Sequence, residues 1–153
     1  MSLFGLPDTF RLAIFNQTGA TISNVPASKP TASGRRVRYD STGALDYEAS
    51  EFIFFSMAAA NIANNSYVTG STLTNTSLQY MGIDGLLSSF GPSACSGNLY
   101  LYMEASPDGG TTWPTPASAN GPGGGLLIAA IGYGSTTTNS TASTLQRLFW
   151  VYP

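Results

Sequence analysis

Eight carboxylates and one thiol are the first side chains of this 153-residue sequence to weigh for proton or nucleophile chemistry. The acids are Asp8, Asp40, Asp46, Glu48, Glu51, Asp84, Glu104 and Asp108. Histidine is absent, which removes the commonest general base and every Ser-His-Asp or Cys-His arrangement. Cys95 is the only cysteine, so zinc and copper ligand sets cannot be assembled and no intrachain disulfide can form. No Asp-x-Asp-x-Asp calcium loop occurs. The run Gly121-Pro122-Gly123-Gly124-Gly125 lacks the Lys-Ser/Thr pair and following helix of a phosphate loop, and reads as a flexible tip. Carboxylate pairs remain, because glycosidases need two acids facing one sugar bond. Asp46 and Glu48 share one parity and so one strand face, but a strand pointing at solvent gives the same spacing. The expectation is a protein that is not an enzyme and carries no cofactor and no metal.

The side chains that could position such groups are unusual in kind. Charged residues make up 9% of the chain, against about 25% in ordinary soluble proteins. Ser, Thr, Asn and Gly fill the gap, and a net charge of −2 supplies little colloidal repulsion. Such a surface suits either packing against partners or an extracellular coat rich in hydroxyls and amides. Six Lys and Arg in total cannot build a phosphate-binding footprint, so no nucleic acid is expected. The cluster Arg35, Arg36, Arg38 reads instead as a basic strand edge or an ionic contact with a neighbouring subunit. Met1 to Phe15 lacks a basic leader with an uninterrupted apolar stretch, and no apolar run approaches bilayer-spanning length. Synthesis in the cytoplasm and no membrane association are expected. The triplets beginning at Asn16, Asn64, Asn75 and Asn139 match the glycosylation pattern, yet without a leader glycosylation is not expected.

The hydropathy pattern is that of strands. Phe10, Leu12 and Ile14 alternate with Arg11 and Ala13, a period of two. Ile22 to Lys29 suggests a short edge strand broken by Pro26 and Pro30. Arg35 to Tyr39 predicts a strand that returns through Asp40-Ser41-Thr42-Gly43 into Ala44 to Glu48. Phe52 to Phe55 reads as a buried strand, and Met57 to Ala63 as one or two helical turns. Asn64 to Ser77 reads as a loop, and Pro92 to Gly97 as a turn. Asn98 to Ala105 is the clearest strand, with Leu99, Leu101 and Met103 on one face. Pro114 to Gly125 is an excursion, Leu126 to Ile131 another buried-looking strand, and Gly132 to Ser143 a Ser/Thr loop. Leu145 to Tyr152 has apolar residues of both parities, which points to burial on both faces, in a core or against another subunit.

About eight strands joined by turns predict an all-β fold, an antiparallel β-sandwich or barrel of jelly-roll or Ig-like kind, with long Ser/Thr/Gly-rich loops. At this length it forms a single domain over 1–153. No repeat of 20–50 residues is visible, which excludes a solenoid or a complete propeller. An N-terminal arm (1–9) carries Leu3, Phe4 and Leu6.

The most specific motif is Ser106-Pro107-Asp108-Gly109-Gly110-Thr111-Thr112-Trp113, which resembles the Asp-box, S-x-D-x-G-x-T-W. That resemblance implies a hairpin in which Asp108 caps turn N–H groups, Gly110 permits the turn and Trp113 packs beneath. Asp-boxes recur in sialidases away from the catalytic centre. A single copy in so short a chain, without a basic cluster of the needed size, does not extend the resemblance to that activity. The opening strand ending in Asn16-Gln17-Thr18-Gly19-Ala20, the basic strand from Arg35 to Gly43 and the Tyr/Leu strand entering Ser106 together resemble small bacteriophage structural proteins. This second resemblance, over about half the chain, implies a virion component. The first expectation is a capsid decoration (cement) protein bound to the major capsid protein or another virion protein, as a homo-oligomer, trimer or dimer. The alternatives are a tail component or a carbohydrate-binding sandwich with Tyr100, Tyr102, Trp113 and Trp150 as stacking faces. Candidate partner contacts are Leu3, Phe4, Leu6, Phe149, Trp150 and Tyr152.

Overall fold

The computed structural model describes residues 6–23, 29–57, 60–76, 79–90, 95–114, 116–117, 121–133 and 144–151. In chain order the strands are β1 (Thr9–Gln17), β2 (Thr31–Tyr39), β3 (Leu45–Tyr47), β4 (Phe52–Ser56), β5 (Ser66–Thr69), β6 (Leu73–Thr74), β7 (Gly82–Phe90), β8 (Asn98–Ala105), β9 (Pro116–Ala117), β10 (Gly121–Pro122), β11 (Leu126–Gly132) and β12 (Thr144–Val151). Four of these have three residues or fewer, leaving eight of substantial length. One sheet runs β11-β8-β1-β5 with β6 also on β1, and the second runs β12-β7-β2-β3 with β4 also on β2. Every ladder is antiparallel. The two sheets pack face to face as an open sandwich and do not close into a barrel. No α-helix occurs among the described residues.

Period-two patterning explains the core. On β1 the side chains of Phe10, Leu12 and Ile14 point inward and meet Leu99, Leu101 and Met103 of β8. The second sheet answers with Ala32, Ile83, Leu87, Phe149 and Val151. Phe149 lies across Gly85, where an added Cβ would stand 2.3 Å from its Cζ. Only a glycine leaves room for that ring. The run at Phe52 breaks strict alternation through a bulge, since Ala32 faces Phe55 while Ser33 faces Ile53. The extra residue, Phe54, is thereby buried beside Phe55. Ile53 is turned outward and stands 60% exposed, so this strand is only partly buried.

Several expectations are corrected. Met57 to Ala63 holds no helix among its described residues, because Ile62 forms an isolated bridge with Ile22 and both are buried. The stretch Asn64 to Ser77 is not one loop but contains β5 and β6, both paired to β1. Residues 6–9 are not a free arm. Leu6 is buried in the core, its carbonyl accepts from Asn75 Nδ2 at 3.1 Å, and Thr9 already pairs with Thr74. Leu126 and Leu127 are exposed rather than buried. On β12 the core buries Phe149, while Leu148 and Trp150 stand outside it, so within the chain itself only one face is covered and the alternative of contact with another subunit stays open. Beyond Ile22, isolated in its bridge, the strand expected over Ile22 to Lys29 lies mostly outside the described residues, as does most of the loop after Gly132.

Candidate functional site

Most of the ionisable side chains are engaged inside the fold. Arg36 grips Glu48 with two nitrogens, Nε at 2.8 Å and Nη2 at 2.5 Å. The hydrogen bonds from Arg36 hold the Glu48 carboxyl below its usual range. Arg38 Nε donates to Asp46 at 2.8 Å. Asp46 and Glu48 do share a strand face, but each is tied to its own arginine rather than converging on a common point. Asp40 Oδ1 accepts from the backbone N–H groups of Thr42 and Ala44, closing the β2–β3 turn. Those bonds, led by the Thr42 hydroxyl, lower its pKa.

Glu104 is the acid whose burial the strand pattern does not reveal. It sits on the outer face of the first sheet, yet its side chain is 0% exposed. Arg11, opposite it across the β1–β8 ladder, donates from Nε at 2.7 Å. The Tyr67 hydroxyl donates to its second oxygen. Burial, and then that bond, pushes the Tyr67 phenol well above its ordinary pKa. The guanidinium of Arg11 lies 4.1 Å from the ring centroid of Trp113, so the ion pair is roofed by the indole.

Trp113 in turn belongs to the loop after β8. Asp108 Oδ1 accepts from Thr112 N at 2.7 Å and from Ser106 Oγ at 2.8 Å. Ser106 Oγ accepts from Gly110 N at 2.7 Å, and Trp113 Nε1 donates to Gly110 O at 2.9 Å. Gly110 has φ of +100°, a conformation that favours glycine. The bonds to Asp108, first from the Thr112 hydroxyl, lower its pKa to about 2. The loop is thus a self-satisfied lid over the Arg11–Glu104 pair, and its acid is a cap.

Two asparagines do comparable work, Asn16 at the turn that ends the opening strand and Asn75, which the sequence pattern marks only as the start of a glycosylation triplet. Asn16 donates to Ala20 O and Ile62 O while accepting from Thr18 N. Asn75 clamps Leu6 O and Tyr80 O. Both are fully buried. Their positions beside turn residues were the available signal.

Among the described residues no group of three His, Cys, Asp or Glu could hold a metal ion. A cleft of about 220 Å³ opens between the sheets, lined by Phe10, Arg36, Phe52, Phe54, Thr72, Leu73 and Thr74. Its one charged group, Arg36, is already paired with Glu48. Cys95 is buried, and burial raises its thiol pKa.

The surface offers more than the cleft. Large apolar side chains stand exposed on the outer face of the second sheet: Trp150 at 66%, Leu148 at 69%, Ile53 at 60%, with Tyr39, Leu45 and Tyr47 beyond them. Of the expected partner contacts, Trp150 lies on this face. Phe149 and Leu6 do not reach any surface, being 3% and 1% exposed, because each points into the space between the sheets. Leu3, Phe4 and Tyr152 lie outside the described residues. The sequence pattern reads Ile53 as buried, and for Leu148 it allows either a core or another subunit; both are exposed on this chain. Their signal was an apolar residue of the wrong parity within a strand. The outer face of the first sheet carries aromatic rings, with Phe15 and Tyr100 at 6.4 Å and Tyr100 and Tyr102 at 6.3 Å between centroids. Of the four aromatics considered as sugar platforms, Tyr100, Tyr102 and Trp113 gather on or beside that face, and Trp150 does not. No protein-family model, no curated protein and no solved structure matches this chain.

Proposed function

We propose that this chain is a virion structural protein, a decoration protein that stabilises a phage head by binding the major capsid protein as a homo-oligomer. One observation carries the reading: five of the eight acids cap turns or neutralise arginines within the fold, while large apolar side chains stand on its surface. A molecule so arranged acts through contact area, and exposed apolar patches of this kind mark protein interfaces. The resemblance in the opening strand, the basic hairpin and the Tyr/Leu strand supplies the virion context. The test is immunogold electron microscopy of particles released from the host that makes the chain. Label over the heads supports decoration, and label confined to tails moves the chain to a tail component. Purified particles that lack the chain refute the proposal.

The aromatic outer face of the first sheet favours a second reading, a sugar-binding module. A glycan array showing saturable binding, lost in Tyr102→Ala with the fold intact, would replace the decoration reading.

A further inference from the structure

We propose that the outer face of the second sheet is the interface of a two-fold homodimer. The strand ladders set its side chains in rows. Leu148 stands opposite Leu86, Leu86 opposite Ser33, and Ser33 opposite Ile53. In the next row Trp150 stands opposite Asp84 and Asp84 opposite Arg35. The inner parity is fixed by Phe149, Gly85 and Ala32, so both rows face outward. Solvent-facing sheet surfaces ordinarily carry polar residues at such positions, yet Leu148, Trp150 and Ile53 are each at least 60% exposed.

The rows are ordered in a way that fits a second copy of the same chain. Consider a two-fold axis parallel to the strands, in the plane of contact, running between β7 and β2. It lays each copy's β7 over the other's β2, and β12 over β4. Leu148 then meets the second copy's Ile53, and the larger Leu86 meets the small Ser33. The same axis sets Arg35 on the second copy's Asp84, and Asp84 on its Arg35. Charge complementarity and apolar complementarity thus follow from one operator. The two rows hold one positive and one negative group, so the face is neutral and matches itself. The eight residues of β12, nine each of β7 and β2 and five of β4, at about 3.3 Å per residue and about 4.8 Å between strands, give a face of roughly 500 Å² in projection. Rough side-chain surfaces raise the accessible area toward the roughly 800 Å² per partner of a standard interface. The interface is isologous, which closes the assembly at two copies. Packing at about 10 Å with a small twist offset is the ordinary geometry of stacked sheets. This inference rests on the face alone and stands whether or not the chain belongs to a virion.

Sedimentation equilibrium of the full chain tests it. The wild-type chain is expected to be a dimer. Leu148→Glu and Ile53→Lys should each weaken association by roughly thirtyfold or more, as loss of a central contact does. The decisive arm uses charge. Arg35→Glu alone and Asp84→Lys alone each place like charges across both ends of the interface and should dissociate. Mixed together they should form a heterodimer. At one end the introduced carboxylate of the first variant meets the introduced ammonium of the second. At the other end the native Asp84 of the first meets the native Arg35 of the second. An ion pair acting only within one chain predicts no rescue on mixing. Thermal unfolding of each variant establishes that it is folded. Should the charge variants unfold, Leu148→Glu and Ile53→Lys decide the question, being exposed positions that tolerate change. A wild-type monomer, a trimer or larger ring, a dimer indifferent to both apolar variants, or no rescue from two folded charge variants would overturn the proposal.

Discussion

Removing the Arg11 guanidinium should be among the most destabilising surface-strand substitutions in this protein. The Glu104 carboxylate has 0% side-chain exposure and Arg11 17%, so neither is effectively screened by water. Arg11→Met deletes the cation but keeps the aliphatic stem under Trp113. It leaves a buried carboxylate with the Tyr67 hydroxyl as its one side-chain donor among the described residues. Breaking a buried pair from one side typically costs about 3–5 kcal/mol. At about 2–4 °C per kcal/mol for a chain of this size, the melting temperature should fall by roughly 6–20 °C. Urea unfolding followed by far-UV circular dichroism measures the free energy. Tryptophan fluorescence in a Trp150→Phe background reports loss of the cation over Trp113. The double variant Arg11→Met, Glu104→Leu has no uncompensated charge and should recover most of the loss, because apolar replacements of buried pairs are often neutral. A cost below about 1 kcal/mol for Arg11→Met, or no recovery in the double variant, would refute the claim that this is a buried, mutually dependent pair.

Gly85→Ala should destabilise by about 1–3 kcal/mol, as overpacking does, since its Cβ would stand 2.3 Å from Phe149 Cζ; chemical denaturation measures it. Asp108 has a folded pKa of about 2 against an ordinary 3.8, so its stabilising contribution is complete above the unfolded value and fades as pH falls through the folded one. Asp108→Asn should accordingly flatten the fall in melting temperature between about pH 4 and pH 2; an unchanged slope would contradict the cap. The buried, pKa-raised Cys95 thiol should resist alkylation in the native chain and react on unfolding, as mass spectrometry of iodoacetamide-treated protein would show.

What could be read from the sequence depended on whether local pattern and tertiary environment agreed. The hairpin through Asp40 and the strand Asn98–Ala105 were legible because alternation, turn chemistry and burial coincide there. Strands β5 and β6 were illegible because Ser, Thr and Asn signal turns, whereas here their backbones complete the ladder on β1. The Phe52–Phe55 run hid a bulge, which periodicity cannot reveal because it inserts one residue without a compositional mark. Glu104 has the outward parity of Tyr100 and Tyr102, so nothing local announces its burial. The cover comes from Arg11, Tyr67 and Trp113, 93, 37 and nine residues away. The Asp108 loop was the most legible part of the site, since its hydrogen bonds are all local.

The engaged charges and the open apolar face are two sides of one arrangement. A protein with charged residues at 9% and a net charge of −2 has little repulsion with which to keep exposed apolar groups apart. Its arginines could have guarded the sheet, since charges on edges and faces are the usual protection against association. Instead Arg11, Arg36 and Arg38 are each bound to an acid of their own chain. Arg35 stands on the outer face, beside Asp84 and between rows that end in Ile53 and Trp150, while Arg147 is exposed on the edge strand β12. Such a face would drive open-ended aggregation unless something finite covers it. A two-fold contact is finite by symmetry, and it uses the adjacent pair of opposite charges as its register mark. That is why the rescue of Arg35→Glu by Asp84→Lys weighs more than any single loss of binding. A sticky face would lose affinity with either variant, but only a face with a defined operator can regain it from the two together.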